Sequence, residues 1–266
     1  MFQNNKYFDI ADELFADSEF NNYAKIKKLE KNNIVVSETT IFDSKNPYLK
    51  EKGIYCSFVF PTLTETKIYD QLYDLLTIYL RDFIKVSTKK RKPKILFVGL
   101  GNENYIPDSL GPRVVKNLNS DYYSMKRIGC LIPGVMALTG METSDIIKGV
   151  LKYHDYDLVF VIDSLSTSSI NRLNKTIQIT NTGISPGSGV KNYRKPINKE
   201  KLNVNVITLG IATVISYDSI IEEFMHEHKI ETNFDSKNIY LTSKEIETEI
   251  EYLSYLISDV INSLFE

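Results

Sequence analysis

Two short runs, Ile95–Leu100 and Leu158–Ile162, are apolar at every position. A strand with one face in water alternates apolar and polar residues. A strand that is apolar throughout has both faces covered, which is the condition of a parallel sheet between two helical layers. The sequence between and around these runs has helical spacing. Pro112 fits the first turn of a helix that carries Val114, Val115 and Leu118. Thr139 and Glu142 have capping-box spacing ahead of Ile146, Ile147 and Val150, which predicts a helix from Thr139 to about Tyr153. Upstream, Ile54–Phe60 reads as a strand closed by Pro61, and Thr66–Lys85 as an amphipathic helix. Downstream, Ile128–Ile132, Thr176–Ile179 and Val204–Leu209 are further strands. A closing helix follows Thr242 and Glu245, again at capping-box spacing, with Ile246, Ile250, Leu253, Ile257, Val260, Ile261 and Leu264 on one stripe. The alternation predicts an α/β fold, a three-layer α/β/α sandwich with a mostly parallel central sheet.

A chain of 266 residues can bury a sizeable core in one domain. Its net charge of −2 gives no bulk attraction for nucleic acid, so no direct nucleic-acid binding is expected. Cys56 and Cys130 form no paired-cysteine motif, which fits a reducing cytosol. No apolar run is long enough to span a membrane, and the first residues lack a signal-peptide pattern, so no membrane association is expected. Of 12 glycines, 11 lie between Gly99 and Gly210. Glycine serves where backbone turns sharply or approaches closely, so the working loops are expected in the middle of the chain.

In a doubly covered parallel sheet, ligands bind beyond the carboxyl ends of the strands. Asp108 lies in the loop after the first apolar run, and Asp163 directly follows the second. The two carboxylates can share a site, or each can serve as a turn or N-cap residue. If they pair, a following helix favours the ionised form of Asp108, while burial and a like charge raise the pKa of Asp163. One carboxyl holding a proton beside an ionised one suits water activation at a peptide carbonyl. Gly99-Leu100-Gly101 lacks the third glycine of a dinucleotide loop, since Asn104 stands there. Ser185–Gly189 is an anion nest or a turn. His154, His226 and His228 lie outside the glycine-rich loops, so no metal site and no cofactor are expected. Lys191, Arg194, Lys195, Lys199 and Lys201 make a positive segment, either a solvated loop or a dock for acidic side chains.

Several stretches resemble the spore germination protease (GPR endopeptidase) family: VGLGNENYIPDSLGP at 98–112, IPGVMALTGMETSDIIKGV at 132–150, VIDSLSTSSINRLNKTIQITNTGISPGSGV at 161–190 and VITLGIATVIS at 206–216. The terminal helix at 239–265 is also similar, with weaker echoes in FDIADE at 8–13 and GIYCSFVFPTL at 53–63. The resemblance implies an endopeptidase that degrades small acid-soluble spore proteins during germination, in the spore core or forespore cytoplasm. It implies an atypical aspartic-type mechanism on Asp108 and Asp163, and a phosphorylase/hydrolase-like fold shared with hydrogenase-maturation proteases. It also implies a zymogen with an N-terminal pro-segment, assembly as a homo-tetramer, and a docking role for Arg194 or Lys195. On this reading residues 1–266 form one domain: a less regular portion at 1–92 with the pro-segment at its start, a catalytic core at 93–216, and a shortened linker with the closing helix at 217–266.

Two departures bear on activity. The family's alanine, alanine and arginine after the second aspartate are replaced in IDSLSTSS, which removes an arginine near the site, and Ser185 replaces a histidine. The first supports an alternative, a non-catalytic binder of spore proteins; the second weakens the other alternative, a metal-using peptidase of the maturation type.

Overall fold

The computed structural model describes residues 8–118 and 127–265. The start of the chain, where a pro-segment is expected, lies outside them. Among the described residues nine strands form one sheet: β1 (Ala24–Lys31), β2 (Ile34–Ile41), β3 (Gly53–Val59), β4 (Ile95–Gly99), β5 (Ile128–Leu131), β6 (Leu158–Thr167), β7 (Thr176–Thr180), β8 (Asn205–Ser216) and β9 (Tyr240–Leu241). Their order is β1-β2-β3-β7-β8-β6-β4-β5, with β9 paired to β8. The helices are α1 (Ala11–Leu14), α2 (Thr66–Thr88), α3 (Leu110–Lys116), α4 (Met136–Thr139), α5 (Thr143–Tyr153), α6 (Lys199–Leu202), α7 (Tyr217–His228) and α8 (Ile246–Ser263).

The expected sandwich is present. β5, β4, β6 and β8 run parallel, in the region of the two apolar runs. Alternate residues of each strand feed different layers. Phe97, Phe160, Ile162, Leu209 and Ile211 pack with the buried faces of α2, α3 and α8. Leu96, Val98, Val159, Val161 and Val206 pack on the other face against Ile147 of α5 and Leu202 of α6. Both sets being buried is what makes the runs continuous in sequence. β7, β3, β2 and β1 add an antiparallel wing to this parallel half.

The wing contains a hairpin within the stretch expected to be less regular. β1 and β2 are joined by Asn32 and Asn33, both left-handed, with φ of 54° and 62°. Two residues at positive φ give the turn whose twist matches paired strands, and asparagine tolerates that region. The lysine-rich run Lys25–Lys31 is this edge strand, largely exposed. Lysines there discourage edge-to-edge pairing with other chains.

Two helix starts differ from expectation. The helix predicted from Thr139 is two pieces. The short α4 ends at Gly140, which is left-handed with φ of 70°, and α5 begins only after Glu142. Likewise Thr242 donates its hydroxyl to the Thr213 carbonyl (2.7 Å) rather than capping α8. In both places the side chain satisfied a nearby turn or strand instead of the helix N-terminus. The linker after β8 holds α7, which carries the exposed His226 and His228.

Candidate active site

β4 ends at Gly99, opposite Ile162 of β6. β6 runs five residues further, to Thr167, paired on its other side with β8. Asp163 therefore lies inside β6, at the level where β4 stops, rather than past the end of its own strand. This bares one edge of β6 where the sheet meets the loop that carries Asp108. That loop returns through a 3-10 turn, Ile106–Asp108, and enters α3.

Three glycines bring the loop against the strand ends. A side chain at Gly101, where φ is 112°, would place its Cβ 1.9 Å from the Asp108 carbonyl oxygen. A Cβ at Gly111 would lie 2.4 Å from the Leu100 oxygen and 2.5 Å from the Ile162 oxygen. One at Gly99 would meet the Gly111 carbonyl at 2.3 Å. The Leu100 N–H donates to the Ile162 oxygen (2.8 Å), and the Thr213 hydroxyl donates to the Pro107 oxygen (2.7 Å), so the loop is tied to both β6 and β8. Because the Gly111 clashes are with backbone, Gly111→Ala should cost ~3 kcal/mol. Gly149→Ala on α5, which meets open space, should instead gain ~0.5–1 kcal/mol. Urea unfolding midpoints check both, and equal midpoints for the two variants would contradict the close approach.

Asp108 and Asp163 line the same cavity, of about 430 Å³. The Asn102 N–H donates to Asp108 Oδ2 (2.9 Å) and the Ser164 N–H to Asp163 Oδ1 (2.9 Å). Burial pushes Asp108 up to about 6, against the lowering effect of the Asn102 N–H. The sequence argument favoured ionisation of Asp108 by a following helix; desolvation outweighs this in the folded chain. Asp163 is 6% exposed, and its pKa stands well above the usual carboxylate range. Burial is the first cause, followed by the charge of Asp108 and, more weakly, that of Asp9. Burial favours the protonated form of each, and the charge of Asp108 adds to this at Asp163. The two titrate as a coupled pair.

Asp9 is a third carboxylate lining this cavity, and the sequence argument did not single it out. It accepts from the Ser166 N–H (3.0 Å) and the Ser188 hydroxyl (2.9 Å), and Lys50 Nζ lies 3.7 Å away. Its own N–H donates to the Ser166 oxygen, so the N-terminal segment lies along the bared edge of β6. The only sequence signal for it was the FDIADE echo. The Ser185–Gly189 segment is thus a turn that closes on Asp9, with Gly189 leaving room for the carboxylate.

The hydroxyl-rich run after Asp163 also turns to the N-terminal segment. Thr167 and Ser168 donate to Glu13 (2.5 Å and 2.8 Å), and Arg172 pairs with Asp12 (3.0 Å) and Glu13 (3.3 Å). Arg194 lines the cavity and donates to Met136 Sδ (3.2 Å). Lys195 does not line it; its ammonium pairs with Asp145 (2.7 Å) at the exposed start of α5. His154 is the C-cap residue of α5. Among the described residues no three His, Cys, Asp or Glu side chains group as a metal site, and no helix is long and apolar enough to cross a membrane.

Comparison with known proteins places this geometry in context. The sequence profile of a family described as germination protease matches residues 11–229. The chain is 36% identical to a germination protease of Clostridium acetobutylicum over 80% of its own length and 69% of the relative's. It is 38% identical to one from a Geobacillus species, over 65% of this chain and 50% of the relative. It is 34% identical to one from Bacillus cereus, over 74% of this chain and 58% of the relative. The match therefore spans less than two thirds of the length of the last two.

Proposed function

The chain belongs to the germination protease family, and on that premise we propose that it is an endopeptidase that hydrolyses small acid-soluble spore proteins with Asp108 and Asp163. The observation that carries the reading is that both carboxyls line one cavity, where the charge of Asp108 helps keep a proton on Asp163. Ionised Asp108 takes a proton from a water molecule as the water oxygen bonds to the peptide carbonyl carbon. Asp163 gives its proton to the developing oxyanion; the proton held by Asp108 then passes to the leaving nitrogen as the C–N bond breaks, and one diol hydroxyl returns its proton to Asp163. Arg194, on the cavity wall, is the residue placed to meet an acidic substrate side chain. Lys195 would reach one only after releasing Asp145. The same reading includes synthesis as a zymogen, assembly as a tetramer and action in the spore cytoplasm.

Incubation of the purified chain with a small acid-soluble spore protein should give a few defined fragments, located by mass spectrometry. Binding without fragments would instead leave a non-catalytic binder. The pH dependence of kcat/KM tests the roles. A base pushed up to about 6 makes activity fall as pH drops through that value, because protonated Asp108 cannot accept the water proton. A falling limb at higher pH marks loss of the Asp163 proton. A profile flat between about pH 4 and 8 would remove Asp108 from the role of base.

A further inference from the structure

A second cavity lies at the other end of the parallel strands. Pro93 and Arg127, which precede β4 and β5, line it, so it sits at the amino ends of strands whose carboxyl ends face Asp108 and Asp163. Its volume is about 840 Å³, within the range of small-molecule sites. Six cations line it: Arg81, Lys85, Lys89, Lys90, Arg91 and Arg127. Asp82 is the one carboxylate among the described residues that does so. Ile84, Leu264 and Phe265 supply an apolar floor.

Ordinary structural roles account for only part of this charge. Lys90 is neutralised by Asp157 at 2.6 Å. Lys85 and Lys89 lie at the C-terminal end of α2, where the helix dipole favours cations. Arg81 lies outside that last turn, one helical repeat before Lys85 on the same face at a rise of about 6 Å, and Lys89 is the left-handed C-cap residue that follows them. Arg91 comes from the stretch after α2, and Arg127 from the turn just before β5. Among the described residues none of Arg81, Lys85, Lys89, Arg91 and Arg127 has a carboxylate within ion-pair distance. Arg127 supplies a second, independent observation. Its guanidinium is 5.4 Å from the centre of the Phe265 ring, yet its Nε is buried with no hydrogen-bond partner. A buried donor left unpaired is costly, and converging like charges repel, so an anion bound here would relieve both.

We propose that this cavity binds a phosphorylated ligand of nucleotide size. Cations at the end of α2 together with the planar guanidinium of Arg127 suit a chain of phosphates, and the floor suits an attached apolar or aromatic group. The proposal is independent of the peptidase reading, because the cavity shares no residue with the site of Asp108 and Asp163.

Isothermal titration of the full chain with ATP and with inorganic triphosphate, without divalent cations and at low salt, tests it. Binding is expected for both, weakening as salt rises. Tighter binding of ATP would assign the floor to the base, and equal binding would assign the affinity to the phosphates. Lys89→Glu/Arg91→Glu changes two exposed positions, so its fold should persist, as judged by circular dichroism. It should weaken binding at least about tenfold, as should Arg127→Ala. Lys27→Glu/Lys28→Glu on the β1 edge makes the same change in net charge far from the cavity and should leave binding within about twofold. Absence of binding by both ligands, or an equal loss in the β1 variant, would overturn the proposal.

Discussion

Asp163→Asn is expected to lower kcat/KM on a small acid-soluble spore protein by at least about a thousandfold, while making the chain more stable near neutral pH. The loss follows from removing the proton donor. The gain follows from linkage. Burial and the charge of Asp108 raise the Asp163 pKa in the folded state. As pH rises past the ordinary carboxylate value, the unfolded chain releases this proton first and the folded chain is progressively disfavoured. Stability tied to Asp163 is therefore full at acid pH and lost as pH rises toward its folded-state pKa. Asparagine does not titrate, so thermal midpoints of variant and parent should meet below about pH 4 and separate, variant higher, by pH 7. Asp108→Asn should behave in the same direction. The rise of Asp108 to about 6 on burial corresponds to roughly 1–3 kcal/mol after allowance for its residual solvent contact. A carboxylate kept only for folding would give the opposite pairing, stability lost along with activity. Full activity in either variant would remove the pair from the mechanism.

The largest stability effect is expected at Arg172. Its side chain is 15% exposed and holds Asp12 and Glu13, whose side chains are 4% and 6% exposed. Arg172→Ala leaves two buried carboxylates without their counter-charge, which should cost ~3–5 kcal/mol in urea unfolding. Burial already raises the Glu13 pKa in spite of the guanidinium. Without Arg172, Glu13 is pushed to take up a proton. The loss should thus be larger at pH 8 than at pH 5, and Glu13→Gln in the Arg172→Ala background should recover part of it. A change under about 0.5 kcal/mol would show that the N-terminal segment is not held by this network.

The strands most legible in advance are those buried on both faces. Ile95–Leu100 and Leu158–Ile162 carry their environment in composition alone, and so Asp108 and Asp163 could be placed at the sheet end. In the wing, β3 and β7 were legible as Ile54–Phe60 and Thr176–Ile179, but β1 and β2 were not. Outward residues of β1 are lysine and glutamate, which look like a solvated loop, and an Asn-Asn turn is a weaker signal than Asn-Gly. Thr139 and Thr242 each have the spacing of a helix cap, but local spacing does not reveal that Gly140 breaks the first helix or that a carbonyl of β8 lies beside Thr242. Asp9 was invisible for a related reason. Its partners, Ser166 and Ser188, are distant in sequence and meet it only once β6 extends beyond β4.

The hydroxyl of Thr213, fully buried on β8, holds the Pro107 carbonyl one residue before Asp108. This gives the reacting groups a mechanical address. β8 lies between β6 and β7 in the interior of the sheet, where amides exchange with solvent through opening of the whole domain rather than by local fluctuation. The Asp108 loop is moored to that slow region. The segment 183–198, which walls the other side of the cavity, is held instead by turns, the isolated bridge between Ile184 and Ile197, and side-chain contacts such as Ser188 to Asp9 and Lys195 to Asp145. Exchange of the wall amides is therefore expected to be faster than that of β8, which a hydrogen-exchange time course would read out.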